Sequence, residues 1–285
     1  MKTIDLHTHT VCSDGSMTPR ELVRHAKESG LSAVAVSDHD SVSGVAEALD
    51  EGERIGIEVV PAIELSAQSA TETHILGYFI DITNKDLLSA LACAKAVRIE
   101  RQEEICSKLN ALGFDITMDE VRELAGSDIL CRAHFARLMV KKGMIGSVRQ
   151  AFDEYLANGR PAFSGREALT DVQAVRLING AGGMAFCAHL HLTRKPPDEL
   201  EKFLRRLKAE GLAGVEGYYT EYTPQMQEEF QALAKKLGLC ISGGTDFHGA
   251  FKPHISIGKG LGNMAIPYSV LENMKRIHAE RKGKI

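Results

Sequence analysis

The chain has 285 residues, 44% hydrophobic and 25% charged, a length and composition typical of one large domain or two small ones in a soluble protein. Its 34 basic and 38 acidic residues give a net charge of −4, which argues against a protein that coats long nucleic acids with a broad basic surface. With no tryptophan and 6% aromatic residues, we predict no extended nucleic-acid surface, while recognition of short or terminal nucleic acid stays open.

Short β-type runs recur along the chain, and each leads into a polar cluster. We predict strands at 3–6, 33–36, 57–63, 184–188, 214–215 and 239–242. Helical stretches separate several of them, for example 18–29, 42–55 and 196–210. The first helix has a candidate N-cap, Thr18, followed by Pro19 and then Glu21. Strands that alternate with helices predict a parallel sheet.

The polar side chains at the ends of the predicted strands indicate that the parallel sheet forms a barrel. Functional side chains in β/α barrels lie at the carboxyl ends of the strands, on one face. Nearly every predicted strand end in this chain carries a His, Asp or Glu, which random placement of 11 histidines would not produce. The sequence therefore predicts an α/β barrel with a metal-rich mouth.

The stretch from about residue 95 to residue 165 differs from the rest. It is helical and charged, with helices predicted at 96–112, 118–125, 132–142 and 147–158 and no strand followed by a polar cluster. Gly159, Pro161 and Gly165 mark its exit. We predict a barrel in two parts, residues 1–94 and 166–285, and a helical insertion at 95–165 that lies over the active site.

Nine side chains are candidate metal ligands. They are six histidines, two aspartates and one glutamate: His7, His9, Asp14, His39, Glu64, His74, His189, Asp246 and His248. Two imidazoles spaced two residues apart at a strand end, as in His7 and His9, project to the same side and can chelate one ion. Taken singly, Asp14 also suits an Asx turn, and Glu64 could simply face solvent.

The size of this set predicts more than one ion. Nine ligands are too many for a single metal, so we expect two or three divalent ions with a bridging carboxylate. Nitrogen and oxygen ligands without thiolate suit Mn²⁺, which we expect first, and also Fe²⁺ or Zn²⁺. Ions about 4 Å apart can clamp a phosphate and generate hydroxide at neutral pH. The residues thus predict phosphoester hydrolysis, with metal-bound hydroxide attacking phosphorus and no other catalytic residue required.

Six motifs follow one another along the chain. They are Asp5-Leu6-His7-Thr8-His9, Ser37-Asp38-His39-Asp40, Glu64, His74, Ala188-His189 after Gly182-Gly183, and Gly244-Thr245-Asp246-Phe247-His248. In this order, from residue 5 to about 260, they resemble the motif set of the polymerase and histidinol phosphatase (PHP) family. The resemblance implies a distorted (β/α)7 barrel with a trinuclear site. Leu190 is a departure, because members of the family usually have proline after the motif histidine.

The resemblance also implies how the ligands divide among three ions. The first ion would be held by His7, His9, Glu64 and Asp246. Glu64 would bridge to a second ion, completed by His74 and His189. The third would be held by Asp14, His39 and His248.

Within the family, Asp14 and the helical insertion resemble one branch, whose members are 3′,5′-nucleotide bisphosphate phosphatases that also trim short RNAs from the 5′ end. The segments 214–219 and 132–137 resemble that branch too. This implies a small nucleotide bisphosphate substrate, such as adenosine 3′,5′-bisphosphate (pAp), that loses its 3′-phosphate. The 5′ ends of short RNA are a second substrate. The alternatives are histidinol-phosphate phosphatase, a non-catalytic metal-binding module, and a metal-dependent amidohydrolase.

Four further residues are candidates for substrate chemistry. Arg132 and His134 are candidate ligands of the substrate phosphate, because a guanidinium offers a planar fork of donors. A solvated helix face is the alternative. Lys252 is a further phosphate candidate, and His191 is a candidate acid near the mouth, with plain polar surface as its alternative.

Cysteine usage and the amino terminus bear on location. Six cysteines lie far apart with no CxxC pair, which is typical of free thiols in a reducing compartment. The first ten residues do not resemble a secretory signal, and no apolar run approaches the roughly 20 residues of a membrane span. We predict a cytoplasmic protein without a membrane segment.

Overall fold

The computed structural model describes residues 2–67, 71, 73–126, 130–164 and 169–283. Its strands are β1 Thr3–Asp5, β2 Ala33–Val36, β3 Glu58–Ser66, β4 His74–Tyr78, β5 Met184–Cys187, β6 Gly214–Tyr219, β7 Cys240–Gly244 and β8 Ile266–Pro267. Its α-helices are α1 Pro19–Glu28, α2 Val45–Ile55, α3 Lys85–Ala111, α4 Met118–Ala125, α5 Arg132–Lys141, α6 Val148–Ala151, α7 Asp171–Gly180, α8 Pro197–Ala209, α9 Pro224–Leu237 and α10 Ser269–Lys282. A π-helical turn, Phe152–Leu156, follows α6, and 3₁₀ turns lie at Leu190–Thr193 and Gly249–Phe251.

The eight strands form one sheet in the order β7-β6-β5-β4-β3-β2-β1-β8. The sheet curls until β1 meets β7, where the Leu6 N–H donates to the Gly243 carbonyl at 3.1 Å and Thr8 bridges Phe247. The result is a nearly closed barrel surrounded by helices, which confirms the predicted α/β barrel. Because β4 runs antiparallel to both of its neighbours, its first residue, His74, lies at the edge where the parallel strands end.

Alternating side chains of the buried strands supply two cores. All four residues of β2 are buried; Ala33 and Ala35 join the cluster that contains Tyr78 and Phe186. Val34 and Val36 pack instead with residues of α1. Since successive strand side chains point to opposite faces, β2 is buried on both sides, as parallel strands covered by helices are. The barrel with these cores carries the polar residues that follow the strands.

The chain divides into two compact units, residues 1–90 with 169–285, and residues 91–168. The second unit has its own core of buried side chains, including Ile105, Val121, Phe135 and Met139. The predicted insertion boundaries, 95 and 165, differ from these limits by four and three residues, and Gly165 lies outside the described residues. Within the described ranges, none of the helices has the length and apolarity that crossing a membrane requires.

Strand β3 is longer than the sequence predicts. It continues through Glu64 to Ser66, because residues 62–66 pair with β4 in antiparallel register, Glu64 opposite Leu76. The prediction ended this strand at Ile63, before Glu64, since the strand that pairs with residues 62–66 lies later in the chain and was not predicted. Strand β6 likewise continues through Glu216 to Tyr219 and contains a register shift.

Candidate metal centre

The structure brings all nine predicted ligands together in the first unit, at the edge where the parallel strands end. Ligand atoms within 4.8 Å of one another form three groups. These groups are His9, Asp14, His39 and His248; His7, His9 and Asp246; and His39, Glu64 and His74. The ninth residue, His189, has its Nε2 atom 3.0 Å from Glu64 Oε1 and 3.2 Å from His74 Nδ1.

Glu64 is the centre of this cluster. Its Oε1 atom lies 3.0 Å from His74 Nδ1 and 3.0 Å from His189 Nε2. Its Oε2 atom lies 3.2–3.3 Å from a ring nitrogen of each of three further residues: His7, His9 and His39. Both carboxylate oxygens thus face imidazoles on different sides, which is the arrangement that a bridging ligand needs.

His9 and His39 each lie between two groups of ligand atoms. His9 Nε2 is 3.2 Å from Asp246 Oδ1, and its Nδ1 is 3.7 Å from Asp14 Oδ1. His39 Nδ1 is 3.2 Å from Glu64 Oε2, and its Nε2 is 4.0 Å from Asp14 Oδ2. The resemblance assigned each of these histidines to one ion only. The division of the ligands among ions therefore stays a prediction.

Buried polar atoms test whether these residues fit metal ions. Seven atoms of the cluster are buried and have no hydrogen-bond partner among the described residues: His7 Nε2, His9 Nδ1, His9 Nε2, Asp14 Oδ1, His39 Nδ1, Glu64 Oε2 and His189 Nδ1. Leaving one such atom unpaired costs about 1–3 kcal/mol. Imidazole nitrogens and carboxylate oxygens are the ligand atoms that Mn²⁺, Fe²⁺ and Zn²⁺ accept. The cluster fits divalent cations.

The three carboxyl groups of the cluster are ionised. Burial opposes this, but His248 and His39 hold the pKa of Asp14 well below its usual value. Burial also opposes ionisation of Glu64, but His39 and His7 lower its pKa. For Asp246, Lys252 and His248 lower the pKa against the same effect of burial. Negative charge on buried oxygen atoms is what a cation site requires.

Glu216 contacts two of the candidate ligands without being one of the nine. The sequence did not identify it as a site residue. It is fully buried; its Oε1 atom lies 2.9 Å from His7 Nδ1, and its Oε2 accepts the His189 backbone N–H at 2.7 Å. It therefore orients two candidate ligands, as outer carboxylates do in metal sites. Its position could have indicated a role, because Glu216 directly follows the predicted strand 214–215, just as several candidate ligands follow predicted strands.

Two further buried carboxylates hold the loops that carry the ligands. Asp38 accepts from the Thr10 N–H at 2.7 Å and from the Ser13 hydroxyl at 2.5 Å, which fixes the segment between His9 and Asp14. Asp5 accepts from the Thr245 N–H at 2.9 Å and from the Thr245 hydroxyl at 2.6 Å, next to Asp246. Both belong to the recognised motifs, where their role is structural support.

Two of the candidate substrate residues lie in the first unit. Lys252 Nζ is 2.6 Å from Asp246 Oδ2, which also accepts the Tyr219 hydroxyl at 3.0 Å, so this oxygen has two partners outside the nine ligands. His191 Nε2 lies 3.2 Å from Glu221 Oε2, on a short 3₁₀ turn directly after His189. The phosphate-binding role of Lys252 and the acid role of His191 stay predictions.

The other two lie in the second unit, where each has structural contacts. Arg132 Nη1 donates to the Leu156 carbonyl at 3.1 Å, and its guanidinium lies over the Phe163 ring. His134 is buried, and its Nδ1 atom accepts the Cys131 N–H at 3.0 Å at the start of α5. Their substrate-binding roles also stay predictions.

Metal uptake is expected to release protons and to strengthen as the pH rises toward about 9, the pKa of His9. Burial disfavours the charged form of His9, but Asp246 and Glu64 outweigh it and raise the pKa of His9 to about 9. Below that pH a cation must displace the proton, so the affinity should rise roughly tenfold per pH unit for each displaced proton. Mn²⁺ titrations of metal-free protein at about pH 6.5, 7.5 and 8.5 measure this. Equal affinity at all three would contradict it.

Comparison with known proteins assigns the chain to a family. The model of the PHP domain matches residues 5–225. The chain belongs to the PHP family. This confirms the resemblance that the motifs indicate, and the matched region contains seven of the nine candidate ligands, all but Asp246 and His248.

Relatives of this PHP chain include enzymes of two kinds. A 5′-3′ exoribonuclease from Haemophilus influenzae is 34% identical over 248 residues, which are 87% of this chain and 90% of the relative. A 3′,5′-nucleoside bisphosphate phosphatase from Chromobacterium violaceum is 32% identical over 250 residues, 87% of this chain and 88% of the relative. An amidohydrolase structure from Chromobacterium violaceum, with bound sulfate and no metal, has a TM-score of 0.85 at 28% identity and covers 96% of each chain.

Proposed function

We propose that this PHP protein is a metal-dependent phosphoesterase that removes the 3′-phosphate from nucleoside 3′,5′-bisphosphates such as pAp. Short RNAs, trimmed from the 5′ end, are the proposed second substrate. The observation that carries the proposal is the convergence of six imidazoles and two further carboxylates around Glu64. The two relatives that act on nucleoside bisphosphates and on RNA ends support the choice of substrate.

The proposal places two or three divalent ions, Mn²⁺ first among them, on the nine side chains. Such ions, when bound, polarise phosphate oxygens and lower the pKa of water. The chain's own contribution is to hold the ligands in place: Glu216 orients His7 and His189, while Lys252 and Tyr219 hold one oxygen of Asp246. Six of the nine ligands are buried, namely His7, His9, Glu64, His189, Asp246 and His248, so their charges act at lower dielectric than in bulk water.

For the second phosphate of the substrate we propose Arg132 as the anchor, with His134 and Lys252 as further phosphate ligands. The contact of Arg132 with Leu156 uses one of the five N–H donors of the guanidinium. A planar fork of the remaining donors matches a phosphate group. An anchor of this kind raises the reaction rate by positioning the substrate.

Arg132→Ala is expected to raise KM for pAp about 10- to 100-fold, because a hydrogen bond to a charged group contributes about 1.5–3 kcal/mol. KM for a simple aryl phosphate, which lacks the second phosphate, should change little. Arg122→Ala, which removes an exposed arginine paired with Asp119 in the same unit, is the matched control. Equal changes in KM for both substrates would remove Arg132 as the anchor.

A cytoplasmic location is the proposed setting. All six cysteines are free in the structure, which supports a reducing compartment. Burial raises the pKa of Cys187 to about 12, so this thiol is unreactive at neutral pH.

Phosphate release by manganese-loaded protein tests the proposed function. We expect pAp to be hydrolysed to 5′-AMP and phosphate, with kcat/KM at least about a hundredfold above that for 5′-AMP or histidinol phosphate, because only pAp offers both phosphates. Chromatography of the nucleotide product identifies which phosphate leaves. A preference for histidinol phosphate would overturn the choice of substrate and leave the phosphoesterase site intact.

A further inference from the structure

His189 has an unusual backbone for a candidate metal ligand. Its φ and ψ angles are 22° and 64°, in the left-handed region that side chains other than glycine rarely adopt. A strained backbone of this kind persists only where surrounding contacts hold it. Its ring must nevertheless stay aimed at Glu64, since His189 Nε2 lies 3.0 Å from Glu64 Oε1.

Two consecutive backbone N–H groups hold this turn. The His189 N–H donates to Glu216 Oε2 at 2.7 Å, and the Leu190 N–H donates to the Tyr222 hydroxyl oxygen at 2.8 Å. The Tyr222 hydroxyl in turn donates to the Glu216 backbone carbonyl at 3.2 Å. Both donors of the turn are thereby tied to strand β6 and the segment that follows it.

The second of these contacts depends on the residue type at position 190. Leucine has a backbone N–H that proline lacks, and Leu190 is buried, so this donor needs a partner inside the protein. Tyr222 is buried as well and supplies the partner through its hydroxyl group. Its ring packs against Phe230 and Tyr219, with centroids 4.9 and 5.3 Å apart. A phenylalanine at position 222 would keep this packing and lose only the hydroxyl.

We infer that Tyr222 is a positioning residue for the metal centre: its hydroxyl fixes the Leu190 N–H and thereby holds the left-handed turn that aims His189 at Glu64. The inference rests on the metal site of the proposed function, and Tyr222 itself is assigned no contact with substrate or metal. Glu216 holds the N–H of the ligand residue, and Tyr222 holds the N–H that follows it.

Manganese affinity of Tyr222→Phe, measured by chelator competition, tests this role. We expect the ion that His189 helps to hold to bind about tenfold more weakly, the lower end of the effect of losing a supporting partner in a metal site. Tyr78→Phe is the matched control, because Tyr78 is a fully buried tyrosine of the same barrel whose hydroxyl makes only a long contact, 3.5 Å, with Ser242. This control should bind manganese as the wild type does.

Repeating the Tyr222→Phe substitution in a His189→Ala variant distinguishes a positioning role of Tyr222 from a general effect on stability. If Tyr222 acts through His189, then adding Tyr222→Phe to His189→Ala should change manganese affinity by less than about twofold, since the two effects are coupled. The thermal midpoint of each metal-free variant shows whether it is folded. An equal loss of affinity in both backgrounds, or a Tyr222→Phe protein that binds manganese like the Tyr78→Phe control, would overturn the inference.

The outcome for Tyr222 and the outcome for the proposed function are separate. Weakened manganese binding in Tyr222→Phe, together with a wild type that binds manganese and does not hydrolyse pAp, would support the positioning role and refute the substrate. If the wild type hydrolyses pAp and Tyr222→Phe binds manganese as tightly as the wild type, the substrate would be supported and the positioning role refuted. A wild type that binds no manganese would overturn both.

Discussion

Glu64→Gln is expected to lose bound metal and to reduce pAp hydrolysis by more than about a hundredfold, beyond the range for losing a merely supporting partner. The two oxygens of Glu64 lie within 3.3 Å of ring nitrogens from five histidines, more histidines than the other two carboxylates of the cluster approach. Glutamine keeps the shape but removes the charge, and its NH₂ group cannot serve as a metal ligand. Elemental analysis of the purified variant and its steady-state kinetics measure the two losses.

Glu51→Gln is the matched control for this variant. Glu51 is also a buried glutamate of the first unit, but its carboxylate pairs with Arg24 and Arg54, and these arginines lower its pKa to about 2. The control should keep its metal content and activity while losing stability. Normal turnover by Glu64→Gln, with the metal content of the control, would refute the assignment of Glu64 as the central ligand.

Glu216→Gln is expected to weaken metal binding about 10- to 100-fold without removing any ligand. Each Glu216 oxygen serves a different partner, His7 Nδ1 at 2.9 Å and the His189 N–H at 2.7 Å. A glutamine offers only one acceptor oxygen, so its NH₂ group would face a second donor, and one of the two histidines would be misplaced. Chelator competition measures the affinity, and pAp kinetics at saturating manganese show how much activity returns.

Glu58→Gln provides the comparison for a strand glutamate outside the cluster. Glu58 begins β3 and pairs with Lys275 and the Tyr268 hydroxyl. This variant should retain wild-type manganese affinity. If Glu216→Gln and Glu58→Gln bind manganese equally well, then the contacts of Glu216 with His7 and His189 do not matter for the metal site.

Features that depend on neighbours in sequence could be predicted. The start of α1 is one example: the Thr18 hydroxyl accepts the Glu21 N–H at 3.3 Å, and Glu21 Oε2 accepts the Thr18 N–H at 2.8 Å, as the capping pattern indicates. The all-buried strand β2 has the predicted bounds for the same reason, since four consecutive apolar residues suffice to mark it. The convergence of the seven candidate ligands that follow predicted strands could also be predicted, because the carboxyl ends of parallel strands meet at one edge. His74 reaches that edge only because it begins β4, an antiparallel strand that the sequence analysis does not predict.

Features that depend on residues far away in the sequence could not be predicted. The extension of β3 through Glu64 comes from antiparallel pairing with β4, which no periodicity within 57–63 indicates. Glu216 and Tyr222 contact His189 and Leu190 across the neighbouring strands β5 and β6, and Glu216 contacts His7 after β1, which the curled sheet brings near β6. A sequence pattern marks residues that bind metal more readily than residues that hold those ligands in place, because the supporting contacts have no fixed spacing.

The number of manganese ions bound per chain tests the central claim most directly. Native mass spectrometry of wild-type protein, titrated with Mn²⁺ after chelation, counts the ions without relying on any substrate. The Glu64-centred cluster predicts two or three ions per chain, and loss of at least one in Glu64→Gln. A wild type that saturates with a single ion, or with none, would contradict the multinuclear site on which the proposed phosphoesterase activity rests.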